Sequence, residues 1–221
     1  PFISPDYSSA WLLKDVQMGY LQEKFGKKGL MILYTSPWPG QGFYTKTPVN
    51  SVADFKGKKL RIYSTATQQM GSMLGFNATI LPFAEIPQAF STGLIEALFT
   101  SPQTGIDIQA WDNTKHFTYA GAIFSKNAVV VSKKAFNALS KNDQANMLAA
   151  AKRAELRGWE MSAETTKKQI DILKKNGMSA KNAPDEVISK MKTIGIEMMK
   201  TWRAKASPEA NVVLDRYLSM R

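Results

Sequence analysis

Short apolar runs alternate with helical patterns between Lys59 and Thr104, and polar residues stand where each apolar run ends. The pattern predicts strands at 60–63, 78–81 and 94–99, and helices at 68–74 and 84–92. Gly75 and Gly93 follow the two predicted helices, as glycine commonly does just past a helix end. Strands that alternate with helices favour an α/β fold with a parallel sheet, and ligands of such sheets collect at the carboxyl ends of the strands. We therefore expect a binding site near residues 61–65 and 100–104.

The flanking segments predict a mainly helical remainder with a few strands. The pattern indicates helices at 9–25, 184–206 and 208–220, with strands at 29–35, 117–121 and 127–132. Ser8 or Ser9 is expected to cap the first helix, and Ser207 the last. Ser140 and Asp143 form a capping-box pattern that opens a helix running to Asn176. At 1.5 Å per residue that helix would be about 50 Å long, which is too long for one small lobe.

Composition narrows the chemistry that the chain can perform. Its 221 residues contain no cysteine and a single histidine, His116, so thiol chemistry and a histidine metal cluster are excluded. The net charge is +11, and most of it falls in the lysine-rich half after residue 125. Acidic residues are interleaved with those lysines, which favours solvated helix surfaces over a nucleic-acid interface. No apolar run approaches the roughly 20 residues needed to span a membrane.

Arg61 stands out because it is the only arginine in the first 152 residues and it interrupts an apolar strand. A buried guanidinium needs a partner, because an unpaired buried charge is costly. One interpretation is a bidentate clamp for the carboxylate or phosphate group of a ligand. The other is an ion pair inside the chain with Glu85 or Glu96. The residues alone leave both open.

Two tryptophans also have two interpretations each. Trp38 lies in a Pro/Gly-rich loop, SPWPGQG, of the kind that often lines a cleft, which is the favoured interpretation; the alternative is a hydrophobic plug in the core. Trp111 follows the predicted site by about two helical turns, where it would either reach the cleft or pack inside. The Thr104 hydroxyl, close to the end of the third predicted strand, is a further candidate ligand contact.

Three ordered segments carry a resemblance to a known family. They are PVNSVADFKGKKLRIYS (48–64), LPFAEIPQAFSTGLIEA (81–97) and AVVVSKKAFNALSKNDQANMLAAA (128–151). Together they resemble the ligand-binding proteins of tripartite ATP-independent periplasmic (TRAP) transporters. The resemblance implies a two-lobe, type II-like periplasmic binding protein of the α/β class, with a long helix that spans both lobes. It also implies that the chain corresponds to the C-terminal two-thirds of such a protein.

The resemblance further implies a division of the chain. Residues 36–121 would form lobe 2, which clamps the ligand, and residues 1–35 and 122–150 would belong to lobe 1. The lobe-spanning helix would occupy 141–177, with Gly158 as its bend point, and residues 178–221 would be helices packed on the lobes. The strands at 117–121 and 127–132 would lead back to lobe 1.

Matching positions assign the ligand contacts. Arg61 corresponds to the clamp arginine of the family, and Gln41 stands where some members carry a second arginine. A ligand would therefore meet one fixed positive charge rather than two. Ser64 corresponds to a ligand-binding asparagine and Phe83 to an aromatic residue that packs on the ligand. Thr100 and Ser101 replace an asparagine of the family, and their hydroxyls would suit a compact acid.

These expectations lead to one function and one alternative. The chain would capture a small organic acid, most simply a 2-oxo or 2-hydroxy monocarboxylate, aromatic ones included, and deliver it to a TRAP membrane permease. It would act in the periplasm as a monomer, without catalytic residues, metal, cofactor or nucleic-acid partner. The alternative is an α/β enzyme acting on a small carboxylate, although the sequence has no phosphate-binding loop, nucleophile elbow or metal cluster.

Overall fold

A computed structural model describes all 221 residues as eight helices and eight strands, with short 3-10 turns between them. The helices are α1 (Tyr7–Gly26), α2 (Thr65–Met73), α3 (Ile86–Ser91), α4 (Pro102–Asp107), α5 (Lys133–Asn137), α6 (Lys141–Lys175), α7 (Asp185–Lys205) and α8 (Pro208–Ser219). The strands are β1 (Leu30–Pro37), β2 (Gly42–Thr45), β3 (Lys59–Ile62), β4 (Asn77–Ile80), β5 (Ala97–Thr100), β6 (His116–Tyr119), β7 (Lys126–Ser132) and β8 (Ser179–Asn182). The fold class is α/β, as predicted.

Six strands form the larger sheet, in the order β4-β3-β5-β2-β6-β8. β3 runs parallel to both β4 and β5, as the alternation of strands and helices predicts. The sheet is nevertheless mixed, because β2 lies antiparallel between β5 and β6. The chain leaves β1 in the smaller sheet and enters β2 through the short segment 38–41.

β1 and β7 pair antiparallel in a separate two-stranded sheet. Of the two strands expected to return to lobe 1, β7 lies in this smaller sheet, but β6 stays in the larger one between β2 and β8. The sequence analysis also missed β8, which pairs with β6 in a segment expected to be purely helical. β8 is short and mostly exposed, so its sequence contains no apolar run that would predict a strand.

The long helix α6 connects the two sheets. Trp159, near its middle, donates its indole N–H to Thr35 of β1 at 3.2 Å. Fourteen residues further on, Leu173 is completely buried in the core of the larger sheet. The helix begins at Ser140, whose hydroxyl oxygen accepts the Asp143 N–H at 3.1 Å, and it ends before Gly177, which has a φ of +86°. It thus has the length and the reach that the sequence predicts.

Two hydrophobic clusters hold the larger sheet on its opposite faces. Phe43, Phe55, Phe76 and Phe99 pack ring against ring in the first, with neighbouring centroids 4.6–5.7 Å apart. The second is built around Tyr44, the next residue of β2, because successive strand side chains point to opposite faces. Burying each of these rings contributes about 1.5–3 kcal/mol, so β2 is anchored on both faces.

Local helix caps agree with the sequence except at α1. The cap of α1 is Asp6 rather than Ser8 or Ser9, and its carboxylate accepts the Ser9 N–H at 2.7 Å. Ser207 caps α8 as predicted. None of the eight helices combines the length and the apolar composition that a membrane crossing would require.

Candidate functional site

The predicted site residues meet because three strands place their ends on one edge of the larger sheet. β3 ends at Ile62 and β5 at Thr100, and both run in the same direction. β2 runs the other way, so its first residue, Gly42, pairs with Thr100 on one side and Tyr119 on the other. Gln41, which precedes Gly42, therefore lies at the same edge as the residues that follow β3 and β5. We call this edge the clamp edge.

Arg61 is buried, with 4% of its surface exposed, and its guanidinium is oriented by a main-chain carbonyl. Nε and Nη2 both donate to the oxygen of Leu81, at 3.0 and 2.9 Å. No carboxylate lies within 4 Å of it, so neither Glu85 nor Glu96 supplies the internal ion pair that the sequence left open. Burial lowers the pKa of Arg61 from its ordinary value, yet a guanidinium remains charged near neutral pH.

One edge of the Arg61 guanidinium makes no hydrogen bond to the protein. Leu81 occupies the side edge formed by Nε and one Nη2 hydrogen. The end edge, formed by Nη1 and the second Nη2 hydrogen, makes no hydrogen bond within the chain and can accept a carboxylate in bidentate geometry. The Tyr63 ring lies 6.0 Å from the guanidinium carbon and adds a weak cation–π contact.

Ser64 and Ser101 each begin a helix at the clamp edge. The Ser64 hydroxyl oxygen accepts the Thr67 N–H at 3.2 Å at the start of α2. The Ser101 hydroxyl oxygen accepts the Thr104 N–H at 3.1 Å at the start of α4. Both helices therefore direct the positive ends of their backbone dipoles towards the edge where Arg61 lies, which favours an anion there.

The hydroxyl cluster of Thr100, Ser101 and Thr104 is buried, with 5%, 1% and 7% exposure. Ser101 and Thr104 hydroxyls lie 3.1 Å apart, and the Ser101 carbonyl oxygen accepts the Tyr44 hydroxyl at 3.1 Å. These bonds join the cluster to the core below it. In this conformation the three residues are buried next to the clamp edge.

Gln41 is also buried, with 3% exposure, and its side-chain amide is engaged at both ends. Its Nε2 donates to the Ser125 hydroxyl at 3.0 Å, and its Oε1 accepts the Tyr63 hydroxyl at 2.7 Å. The structure therefore brings Gln41 to the clamp edge, but with its hydrogen-bonding groups occupied by neighbours in the chain.

Phe83 is 52% exposed and follows Leu81 by two residues, which places an aromatic ring beside the group that orients Arg61. It is not part of the core. Trp38 lies at the crossover between the sheets, where its indole N–H donates to Asn127 Oδ1 at 3.3 Å. It lines a small polar cavity of about 210 Å³ together with Gln103 and Gln169.

Trp111 is not brought together with the other predicted contacts. It lies in the turn before β6, whose first residue, His116, pairs with Thr45 at the far end of β2. That end of the sheet is opposite the clamp edge. Trp111 is partly buried against the second hydrophobic cluster, as its packing interpretation predicts.

Sequence reasoning missed three groups of interest. The Leu81 carbonyl has no sequence signal beyond its position after β4, and the Tyr63 hydroxyl could have been noticed from its closeness to Arg61. The third is Lys126 at the start of β7, where burial, reinforced by the charge of Lys14, lowers the pKa of the ammonium group to about 8. Lys126 has no ion-pair partner within 4 Å.

The wider chain provides no obvious catalytic centre. No three His, Asp or Glu side chains come together in a group that could hold a metal ion. His116 makes no side-chain hydrogen bond, and burial together with Lys181 and Lys58 lowers its pKa. Arg61 does not line any of five surface cavities, including the one beside Trp38, and it lies at the clamp edge.

Comparison with known families gives a match over nearly the whole chain. Residues 1–205 match the family model DctP, described as bacterial extracellular solute-binding protein, family 7. Its members and the solved structures similar to this chain are solute-binding receptors of transporters, not enzymes, so the enzyme alternative is set aside.

Two solved structures are similar in both fold and sequence. DctP7 of Bordetella pertussis, an extracytoplasmic solute receptor binding pyroglutamic acid, is 37% identical with a TM-score of 0.95, covering 98% of this chain and 72% of that one. A marine metagenome TRAP solute-binding protein specific for pyroglutamate is 30% identical with a TM-score of 0.93, covering 99% and 72%.

Curated relatives are more distant. The 2,3-diketo-L-gulonate-binding periplasmic protein of Escherichia coli is 26% identical over 182 residues, which is 80% of this chain and 55% of that protein. A solute-binding protein of Chromohalobacter salexigens is 24% identical over 179 residues, or 52% of its length. The chain thus spans about half the length of the curated relatives it matches.

Proposed function

Because the chain belongs to the DctP family of bacterial extracellular solute-binding proteins, we propose that it captures a small monocarboxylate with Arg61 and passes it to a TRAP membrane permease. Capture would occur in the periplasm, with the chain acting as a monomer. The single observation that carries the proposal is the buried, oriented and unneutralised guanidinium of Arg61.

The fold leaves the positive charge of Arg61 without a counterion. Burying an unpaired charge costs several kcal/mol, and Arg61 has only a carbonyl oxygen and an aromatic ring to offset that cost. A carboxylate bound at the free end edge would form two parallel charge-assisted hydrogen bonds and supply the missing charge. The ligand would therefore gain affinity from an interaction that the chain cannot satisfy alone.

Several neighbouring groups support a ligand with one carboxylate and a compact body. Gln41 is neutral, so the described residues at the clamp edge provide one fixed cation. The hydroxyls of Ser64 and of the buried residues Thr100, Ser101 and Thr104 would bind further oxygen atoms of the ligand, and the exposed Phe83 ring would offer an apolar face. Trp38 would approach the ligand from the segment 38–41, which joins β1 to β2.

We infer a ligand class from this set. A 2-oxo or 2-hydroxy monocarboxylate fits it, and so does pyroglutamate, which the B. pertussis and marine neighbours bind. Pyroglutamate has a single carboxylate and a small ring whose lactam can both donate and accept hydrogen bonds. It is the first ligand to test.

Ligand capture would involve two lobes closing on each other. We propose that residues 36–121 form most of the clamp lobe and that 1–35 and 122–150 belong to the other. The helix at 141–177 would connect them, with Gly158 as its bend point, and 178–221 would pack on both. Hinge closure of this kind encloses a ligand and presents a closed shape to a membrane partner.

The test compares ligand-induced thermal stabilisation in the unmodified protein and in Arg61→Met. The panel contains pyroglutamate, lactate, pyruvate, a dicarboxylate and a sugar acid. A ligand that binds only the native state raises the melting temperature by mass action. We expect monocarboxylates to raise it in the unmodified protein and in the control Arg153→Met, whose arginine is exposed, but not in Arg61→Met. An equal shift in Arg61→Met, or a shift with dicarboxylates alone, would contradict the proposal.

A further inference from the structure

Besides the long helix α6, two short segments carry the chain between the two sheets, and these two passages are bonded side by side. Residues 38–41 lead from β1 to β2, and residues 120–125 lead from β6 to β7. The main-chain N–H of Trp38 donates to the Ser125 carbonyl oxygen at 2.8 Å. The Gln41 carbonyl oxygen accepts the N–H groups of Ala120 and Gly121, at 3.2 and 2.9 Å. The main chain of Gln41 is thus where the two passages are joined.

The side chain of Gln41 connects this junction to the end of β3, the strand that carries Arg61. Its amide N–H donates to the hydroxyl of Ser125, in the second passage, and its amide oxygen accepts the hydroxyl of Tyr63, just after β3. The two bonds are 3.0 and 2.7 Å long, and Gln41 is buried, with 3% exposure. Loss of either partner would therefore leave a polar group of a buried amide without its hydrogen bond, which is unfavourable.

Tyr63 carries the connection to Arg61. Its ring lies 6.0 Å from the guanidinium carbon, and burial raises the pKa of its hydroxyl while the bond to Gln41 opposes that rise. The hydroxyl is therefore a neutral donor at physiological pH and holds its bond to the amide oxygen. A continuous series of contacts runs from the clamp arginine through Tyr63 and Gln41 to Ser125.

Close packing around the first passage restricts how the junction can adjust. A Cβ atom at Gly40 would meet the Tyr119 hydroxyl and lie 2.9 Å from the Phe124 ring, so this position accommodates only glycine without displacement. Gly121, in the second passage, has a φ of +60°, a conformation that favours glycine. The passages are therefore fitted closely to one another at Gln41.

We infer that Gln41 is a positioning residue that couples the orientation of the Arg61–Tyr63 clamp to the paired passages between the sheets. The inference rests on the proposed function, and it replaces the ligand contact that the sequence analysis assigned to Gln41. A rotation of one sheet against the other moves these two segments, so it changes the geometry of Tyr63 through the Gln41 amide. Conversely, a ligand that fixes Arg61 and Tyr63 favours one arrangement of the passages.

The test is a double-mutant cycle on pyroglutamate affinity, measured by titration calorimetry. Tyr63→Phe keeps the ring beside Arg61 and removes only the hydroxyl, and Gln41→Met removes the amide at similar volume. We expect each to weaken binding about 10-fold, and the double variant to be no weaker than the poorer single variant, because both remove the same connection. Tyr217→Phe is the control, since its buried hydroxyl bonds to the Ile3 carbonyl oxygen at 2.7 Å, in another part of the chain.

A second readout separates coupling from loss of stability. Small-angle scattering should show a smaller ligand-induced decrease in the radius of gyration in Tyr63→Phe than in Tyr217→Phe, at saturating pyroglutamate. Ser125→Ala should behave like Tyr63→Phe, whereas Ser125→Thr, which keeps a hydroxyl, should recover most of the affinity. If Gln41→Met does not fold, the Tyr63 and Ser125 variants decide the matter.

The outcomes for the inference and for the proposed function differ. Affinities of Tyr63→Phe and Ser125→Ala equal to that of the unmodified protein, with only the melting temperature lowered, would overturn the coupling role and leave the clamp intact. Additive effects of Tyr63→Phe and Gln41→Met on pyroglutamate affinity would also overturn the coupling role and leave the clamp intact. Undiminished binding by Arg61→Met, or no binding of pyroglutamate by the unmodified protein, would overturn the proposed function and the coupling with it.

Discussion

Arg61 is oriented by the main-chain oxygen of Leu81, which accepts hydrogen bonds from both Nε and Nη2. The two residues lie at the ends of neighbouring parallel strands, β3 and β4, so the contact follows from the sheet itself. A carbonyl fixes the guanidinium without cancelling its charge. The contact therefore keeps Arg61 both aligned and available to an anion.

Arg61→Lys should lower carboxylate affinity strongly even though it keeps the positive charge. A lysine ammonium cannot hold the Leu81 oxygen along one edge while presenting two parallel donors along another. Loss of one charge-assisted bond and of the alignment should weaken pyroglutamate binding about 100-fold by calorimetry. The control is Arg153→Lys on an exposed face of α6. Near-normal affinity in Arg61→Lys would show that charge alone suffices.

Ser64→Ala and Ser140→Ala form a matched pair of helix-cap variants. Each serine accepts an N–H of the first helical turn, at 3.2 Å in α2 and 3.1 Å in α6. Each substitution should therefore lower the free energy of unfolding by about 1 kcal/mol in urea titrations. Only Ser64→Ala should also weaken pyroglutamate binding, by several-fold, because α2 begins at the clamp edge. Equal affinities in both variants would limit Ser64 to capping.

Gly105→Ala should destabilise the protein from beneath the clamp edge. A Cβ atom at residue 105 would overlap the Tyr44 ring and hydroxyl, and Tyr44 is fully buried and donates to the Ser101 carbonyl oxygen. Overpacking of this kind costs about 1–3 kcal/mol. The control is Gly19→Ala in α1, where a Cβ atom meets nothing within 4 Å. That change should stabilise the helix by about 0.5–1 kcal/mol. Similar melting temperatures in the two variants would contradict this packing.

Lys126→Met should raise stability at neutral pH. Burial and the neighbouring Lys14 lower the pKa of Lys126 to about 8, whereas an unfolded lysine keeps its proton up to about pH 10.4. Between about pH 8 and pH 10.4 the unfolded chain binds more protons than the folded chain at this position. Lys126 therefore makes the free energy of unfolding of the unmodified protein rise with pH in this range. The charge facing Lys126 across α1 is Lys14, itself paired with Asp15 and Glu155.

The gain from Lys126→Met should be about 2 kcal/mol at pH 7 and should shrink towards pH 10. Urea unfolding at several pH values measures it, with the exposed Lys134→Met as control. A gain that does not depend on pH would point to packing rather than to the buried charge.

Local patterns were sufficient for the elements of the clamp region. Short apolar runs predicted β3, β4 and β5, and glycines 75 and 93 adopt φ values of +94° and +70° where the sequence placed the helix ends. Strand direction followed from the intervening helices. These features depend on residues close together in the chain, whose conformational preferences a single sequence expresses directly.

Neighbouring residues in the chain were enough to predict that Arg61 lies on a buried strand and needs a partner, and that a long helix follows Ser140. The identity of the partners depends on the three-dimensional packing. Leu81 is 20 residues from Arg61, and Ser125 is 84 residues from Gln41. The antiparallel insertion of β2 and the addition of β8 likewise depend on pairing between distant strands. Hydrogen bonds between residues this far apart in the sequence depend on how whole sheets pack together. The local pattern of apolar and polar residues carries no information about that packing.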